Sequence, residues 1–241
     1  MFFFKRKYDL IFGIGEACSC SSTLRRANLQ IQSFPFDWIF GGTFLERVDI
    51  LVNNFENFIK YEDLEYLGDN GIPSHLCNIY KNNYNNLIFK HDFLAEDNIE
   101  KTIFDVQQKY ERRAKRQLSL AEKAERILVI WIDSPGHLWK EKNNQDFING
   151  FNKIQNKFSN AQIDMLVFAW QKNLKFQNRK KEEISNNILK YTFDYQFHHK
   201  KKIVADYVVD EKMLLKILRK YELKMSFKEK FENFKLKKLN R

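Results

Sequence analysis

Tyr8 to Phe40 reads YDLIFGIGEACSCSSTLRRANLQIQSFPFDWIF, and the rest of the chain is organised around this stretch. Tyr8 to Ile14 is an apolar, aromatic run of the kind a buried strand requires. Gly13 and Gly15 then allow a tight turn that other residues resist. Cys18 follows where a helix running to about Asn28 begins. The stretch closes on Phe34-Pro35-Phe36-Asp37-Trp38, an aromatic cluster holding one carboxylate. A strand, a glycine turn and a thiol at a helix N-terminus together predict a site.

Outward from there, Thr43 and Glu46 form a capping box for a helix to about Ile59, with Val48, Leu51, Val52, Phe55, Phe58 and Ile59 as its buried stripe. Tyr66 to Tyr84 reads as an irregular connection marked by Gly68-Asp69-Asn70-Gly71 and Pro73. Leu87 to Phe89 reads as a strand running into His91-Asp92. Asp97 and Glu100 predict the cap of a long helix, and Ser119 with Glu122 a fresh cap near its end. Ile127 to Ile132 and Ile163 to Trp170 are buried strands, with Phe147, Phe151, Ile154 and Phe158 on a helix between them. Asp133 to His137 reads as a turn, Ile188 to Phe197 as a more exposed strand, and Ser226 with Glu229 as a cap in the tail.

Short apolar strands alternating with helices imply an α/β fold of three layers, a mostly parallel sheet with helices on both faces. The expected organisation is a single α/β domain over residues 1–205 and a basic helical C-terminal extension over 206–241, packed on that domain or trailing it. In such sheets the site lies off the carboxyl ends of the strands, which groups Cys18 with His91.

The 241 residues carry a net charge of +10, and residues 200–241 hold +8 of it. A tail of that sign attracts nucleic acid or an anionic membrane surface, and equally describes a solvated helix face. Three cysteines, an odd number without a disulfide framework, fit a reducing cytoplasm. No apolar run approaches the ~20 residues needed to span a bilayer. Phe2 to Phe4 precede Lys5-Arg6-Lys7, the reverse of a signal peptide's order.

Cysteine attacks as its thiolate, which a helix N-terminus and an adjacent imidazolium both favour. Cys18 is placed for the first effect and His91 could supply the second. The backbone N–H groups of Cys18 and Ser19 could form an oxyanion hole. Equally, Cys18 could be a small packing residue in the turn. Cys20 points about 200° away around the helix. Asp37 could orient His91 or pair with Arg25 or Arg26, and Asp92 diverges from His91 on an extended segment. A second function is open: the Gly13/Gly15 turn binding the phosphate of a sugar or nucleotide, helped by Arg25, Arg112 or Arg113. No cofactor is expected, and no metal, because Cys18 and Cys20 have no second Cys/His cluster to complete a ligand set.

Taken together, Gly15-Glu16-Ala17-Cys18, Leu24-Arg25-Arg26, Pro35-Phe36-Asp37-Trp38, His91-Asp92 and Tyr110-x-Arg112-Arg113 resemble a bacterial family of unknown function labelled "putative papain-like cysteine peptidase". The resemblance covers about residues 8–135. It implies a cysteine hydrolase acting on a peptide or amide, with Cys18 as nucleophile, His91 as base and Asp37 or Asp92 as orienter. The substrate side would fall to Gly15, Ser19, Arg25, Trp38, Arg112 and Arg113. One feature departs from papain-like enzymes, which set the nucleophile on a helix ahead of the sheet strands. Here a strand precedes Cys18.

Overall fold

The computed structural model describes residues 5–133, 143–171, 174, 179–194, 211–226 and 229–230. The opening run forms two short strands, β1 (Arg6–Tyr8) and β2 (Leu10–Gly13), and then α1 (Cys18–Arg26). They part at Asp9, whose carboxylate accepts the backbone N–H of Arg126 at 2.9 Å. After α1 come β3 (Ile39–Gly41), α2 (Phe44–Val52), β4 (Leu64–Asp69), β5 (Cys77–Asn82), β6 (Leu87–Leu94) and α3 (Ile99–Lys123). The second half holds β7 (Arg126–Ile132), α4 (Asn144–Lys157), β8 (Gln162–Gln171), β9 (Arg179–Ser185), β10 (Ile188–Asp194), α5 (Glu211–Leu218) and β11 (Tyr221–Leu223).

The principal sheet has the order β2-β7-β8-β10-β9, parallel except for β9. Alternation along each strand divides its side chains between two cores. Phe12, Val129, Trp131, Met165 and Val167 meet α2, α3 and α4 on one face. Ile11, Leu128, Ile130, Phe168 and Phe193 meet Cys20 and Leu24 of α1 and Leu214, Ile217 and Leu218 of α5 on the other. The result is the expected three-layer α/β arrangement. The helices that follow the adjacent strands β2 and β7 lie on opposite faces, so a crevice opens at the carboxyl ends of these strands. The start of α1 is there.

A second, antiparallel sheet, β3-β6-β5-β4, is inserted between α1 and α3. It overturns the irregular reading of Tyr66 to Tyr84, which is a hairpin of β4 and β5. It also moves His91 from a turn after a parallel strand to the middle of antiparallel β6. The stretch from Ile188 is an interior strand between β8 and β9, not a more exposed one. The helix from Thr43 ends at Val52, because Asn54, Phe55 and Asn57 take left-handed backbone angles, yet Phe55, Phe58 and Ile59 stay buried. The long helix α3 is capped by Asn98 and runs unbroken through Ser119 and Glu122. The boxes at Thr43/Glu46 and Ser226/Glu229 form as expected. The expected turn beyond Asp133 lies outside the described residues. Part of the basic tail joins the fold: α5 is buried on α1, and β11 pairs in parallel with β1.

Candidate active site

Gly13 and Gly15 set the position of Cys18 by close packing. A Cβ on Gly13 would lie 2.6 Å from the sulfur of Cys20, and one on Gly15 would lie 2.8 Å from both the N and O of Ile132. These glycines let β2 turn hard against β7 and deliver Cys18 as the first residue of α1. Cys20 faces the opposite way, sealed against the sheet with its thiol toward the Ile130 carbonyl.

The turn is held from behind by Arg47, which the sequence reading overlooked. Its guanidinium is fully buried and donates to the carbonyls of Gly15 (2.6 Å), Glu16 (3.3 Å), Ile39 (3.0 Å) and Gly41 (2.7 Å). Burial pushes its pKa down to about 10, with the acidic groups of Glu16, Cys20, Cys18 and Glu46 opposing. The signal was present in the sequence, since Arg47 falls on the same helical stripe as Phe44, Val48 and Leu51. A charge in that stripe calls for buried acceptors.

His91 comes from the second sheet. Between the pairs Asn78↔Phe93 and Tyr80↔Phe89, only Ile79 faces three residues of β6: Lys90, His91 and Asp92. This bulge lets the consecutive Lys90 and His91 both line one cavity, where a regular strand would send them to opposite faces. His91 Nε2 reaches to 3.7 Å from Cys18 Sγ, across 73 positions of sequence. Asp92 turns away to accept from Lys109 Nζ at 2.5 Å and from the Tyr110 hydroxyl at 3.0 Å.

Burial pushes the Cys18 thiol up to about 11, although its own backbone N–H, Lys90 and Arg47 favour the thiolate. Desolvation also lowers the His91 pKa, with Asp92 opposing and His75 and Lys90 reinforcing. Both shifts favour the neutral thiol beside a neutral imidazole. The start of α1 has no side-chain cap, because Ala17 occupies the N-cap. Among the described residues the Cys18 and Ser19 N–H groups have no acceptor in another residue. The Ser19 hydroxyl is buried and unpartnered.

The pair opens on a cavity of about 630 Å³ lined by Trp38, Phe40, Ile72, Ile79 and Lys90, with Asp69, Asn70 and His75 completing it. Trp38 adopts φ +70°, a conformation a bulky side chain resists. Asp37 holds the turn before it, accepting from Phe34 N at 2.9 Å and Gln30 Nε2 at 2.5 Å, with Arg25 at 3.8 Å. Burial raises the pKa of Asp37 to about 6, against the Phe34 N–H, Arg25, Arg113 and Gln30.

The structure therefore brings Cys18, His91 and Trp38 together and sends both carboxylates elsewhere. Among the described residues neither Asp37 nor Asp92 bonds the His91 ring. Nor do the arginines converge on the Gly13/Gly15 turn: Arg25 bonds Ser33 and Arg113 lies over the Tyr110 ring. Arg112 is exposed on α3. Among the described residues no group of three or more His, Cys, Asp or Glu side chains could hold a metal ion.

A family model described as "putative papain-like cysteine peptidase" matches residues 9–168. The chain belongs to this family. No curated protein and no solved structure gives a significant match. The family segment contains β2, α1, the whole inserted sheet, α3, β7 and most of β8, and so both Cys18 and His91. No helix among the described residues is long and apolar enough to cross a membrane.

Proposed function

We propose that this protein is a thiol-dependent hydrolase of peptide or amide bonds, with Cys18 as nucleophile and His91 as general base. The observation that carries the proposal is the 3.7 Å approach of Cys18 Sγ to His91 Nε2 at the wall of an open cavity. The Sγ proton passes to Nε2 as the sulfur adds to the carbonyl carbon. The oxyanion that forms is met by the Cys18 and Ser19 N–H groups at the uncapped start of α1. The imidazolium then protonates the departing amine as the C–N bond breaks. Water, deprotonated by His91, cleaves the thioester and restores the thiol. No carboxylate is assigned as orienter, so the machinery is a dyad. Three unpaired cysteines support a reducing compartment such as the cytoplasm.

The electrostatics favour proton transfer during attack over a standing ion pair. Alkylation of Cys18 by iodoacetamide should keep accelerating as pH rises from 7 towards the thiol's pKa of about 11. It should outpace Cys20 and Cys77, which are buried like Cys18 but do not line the cavity, and slow in His91→Ala. Mass mapping of the label against time and pH checks this. Equal, slow labelling of all three thiols would defeat the proposal.

A further inference from the structure

We infer that the cavity selects substrates carrying a carboxylate beside an apolar group, and that Lys90 reads the carboxylate. This rests on Cys18 being the nucleophile. Lys90 is half-buried on β6 immediately before His91. Its ammonium lies 4.2 Å from the centroid of the Phe40 ring, itself part of the cavity wall. Among the described residues no carboxylate lies within ion-pair distance of it. An ammonium over an aromatic face and without a counterion keeps its charge available to an arriving anion.

The other charged groups nearby do not play this part. Asp92 is bound to Lys109 and Tyr110. Arg47 is closed off behind the turn by the carbonyls it holds. Asp69, at the exposed rim, accepts from Gly71 N at 2.8 Å. Among the described residues Lys90 is therefore the ammonium that lines the cavity, with His75 and His91 its other basic side chains, next to the apolar surface of Trp38, Phe40, Ile72 and Ile79. A cavity of this volume holds a few residues of an extended segment. The carboxylate could be an acidic side chain or a free C-terminus.

Iodoacetate and iodoacetamide are nearly the same size and differ by one charge. Their relative rates at Cys18 therefore report local attraction of anions, while any general change in thiol reactivity cancels. The ratio of iodoacetate to iodoacetamide should fall about fivefold in Lys90→Gln, the scale of one unit charge near contact in water, fall further in Lys90→Glu and recover in Lys90→Arg. Fluorogenic peptides with Glu against Gln, and with a free against an amidated C-terminus, then identify which carboxylate is read. An unchanged ratio with Cys18 still reactive overturns the role of Lys90 and leaves the hydrolase reading intact. A Cys18 inert to both reagents overturns both.

Discussion

The cavity has two walls built on opposite terms. The β2–α1 turn is buried, closed by glycine packing against β7 and tied by one guanidinium to four carbonyls. The β4–β5 hairpin facing it is open to solvent, with Tyr66 56%, Leu67 49%, Ile72 42% and Leu76 41% exposed. The Cys18–His91 pair sits on packed backbone, Cys18 at the buried turn and His91 on the bulged strand beside it. The exposed lip supplies apolar surface without being held by a core of its own. Chemistry tolerates little displacement, whereas recognition tolerates exposure and variation. The contrast implies that substitutions in one wall should cost stability and in the other should cost selectivity.

The harshest way to break this contrast is Arg47→Met. The methionine fills the apolar part of the volume but removes the guanidinium's donors from the carbonyls of Gly15, Glu16, Ile39 and Gly41, at roughly 1–3 kcal/mol for each group left unpaired where water cannot reach. A loss of at least about 3–5 kcal/mol in urea unfolding, or failure to fold, is the expected outcome. Arg47→Lys should recover only part, since one ammonium cannot span four acceptors. If Arg47→Met unfolds within about 1 kcal/mol of the natural chain, the turn is not over-determined.

A smaller effect tests whether the Trp38 turn belongs to the rigid wall. Asp37 keeps its proton to about pH 6 in the folded protein, against 3.8 ordinarily. Between those values the folded state binds more protons than the unfolded chain, so this group's contribution to stability is present below 3.8 and is lost as pH rises through 6. Asp37→Asn has no such titration, and the unpartnered Gln30 Oε1 could accept from the new amide after a flip. The stability of the variant relative to the natural chain should therefore rise between pH 4 and pH 7, by up to about 3 kcal/mol. A flat difference would mean that Asp37 is ionised throughout and paired with Arg25.

The parts legible in sequence are those fixed by local chemistry. Hydrophobic runs gave β7 and β8, side-chain chemistry gave the capping boxes at Thr43/Glu46 and Ser226/Glu229, and the glycine turn placed Cys18 at the start of α1. Other features needed tertiary information. The strand β4 escaped because it lies at a sheet edge, where LEYLGD shows no alternation of buried and exposed residues. Ser119 and Glu122 mimic a cap inside α3, but the packing of Tyr110, Gln117 and Ala121 continues the helix through them. The divergence of His91 and Asp92 followed from an extended backbone, but that the neighbours Lys90 and His91 both line the cavity could be known only from the bulge opposite Ile79. Asp37 looked like an orienter because its residue type and aromatic neighbours suit one. Its turn instead consumes the carboxylate locally.

The mildest change sharpens the contrast from the exposed side. Ile72 lines the cavity yet is 42% exposed and belongs to neither core. Ile72→Ser should shift unfolding by no more than about 0.5 kcal/mol, as a surface substitution does. Iodoacetamide, too small to touch the lip, should alkylate Cys18 at its original rate. A chloromethyl ketone bearing a benzyl group should react more slowly, by about fivefold if half of the isoleucine's apolar contact with it is lost. Stopped-flow or quenched mass measurements of both rates on one preparation keep folding and recognition apart. Loss of stability in Ile72→Ser would make the hairpin part of the scaffold. Equal rates for the bulky reagent would remove it from recognition, leaving Trp38 and Phe40 as the apolar surface.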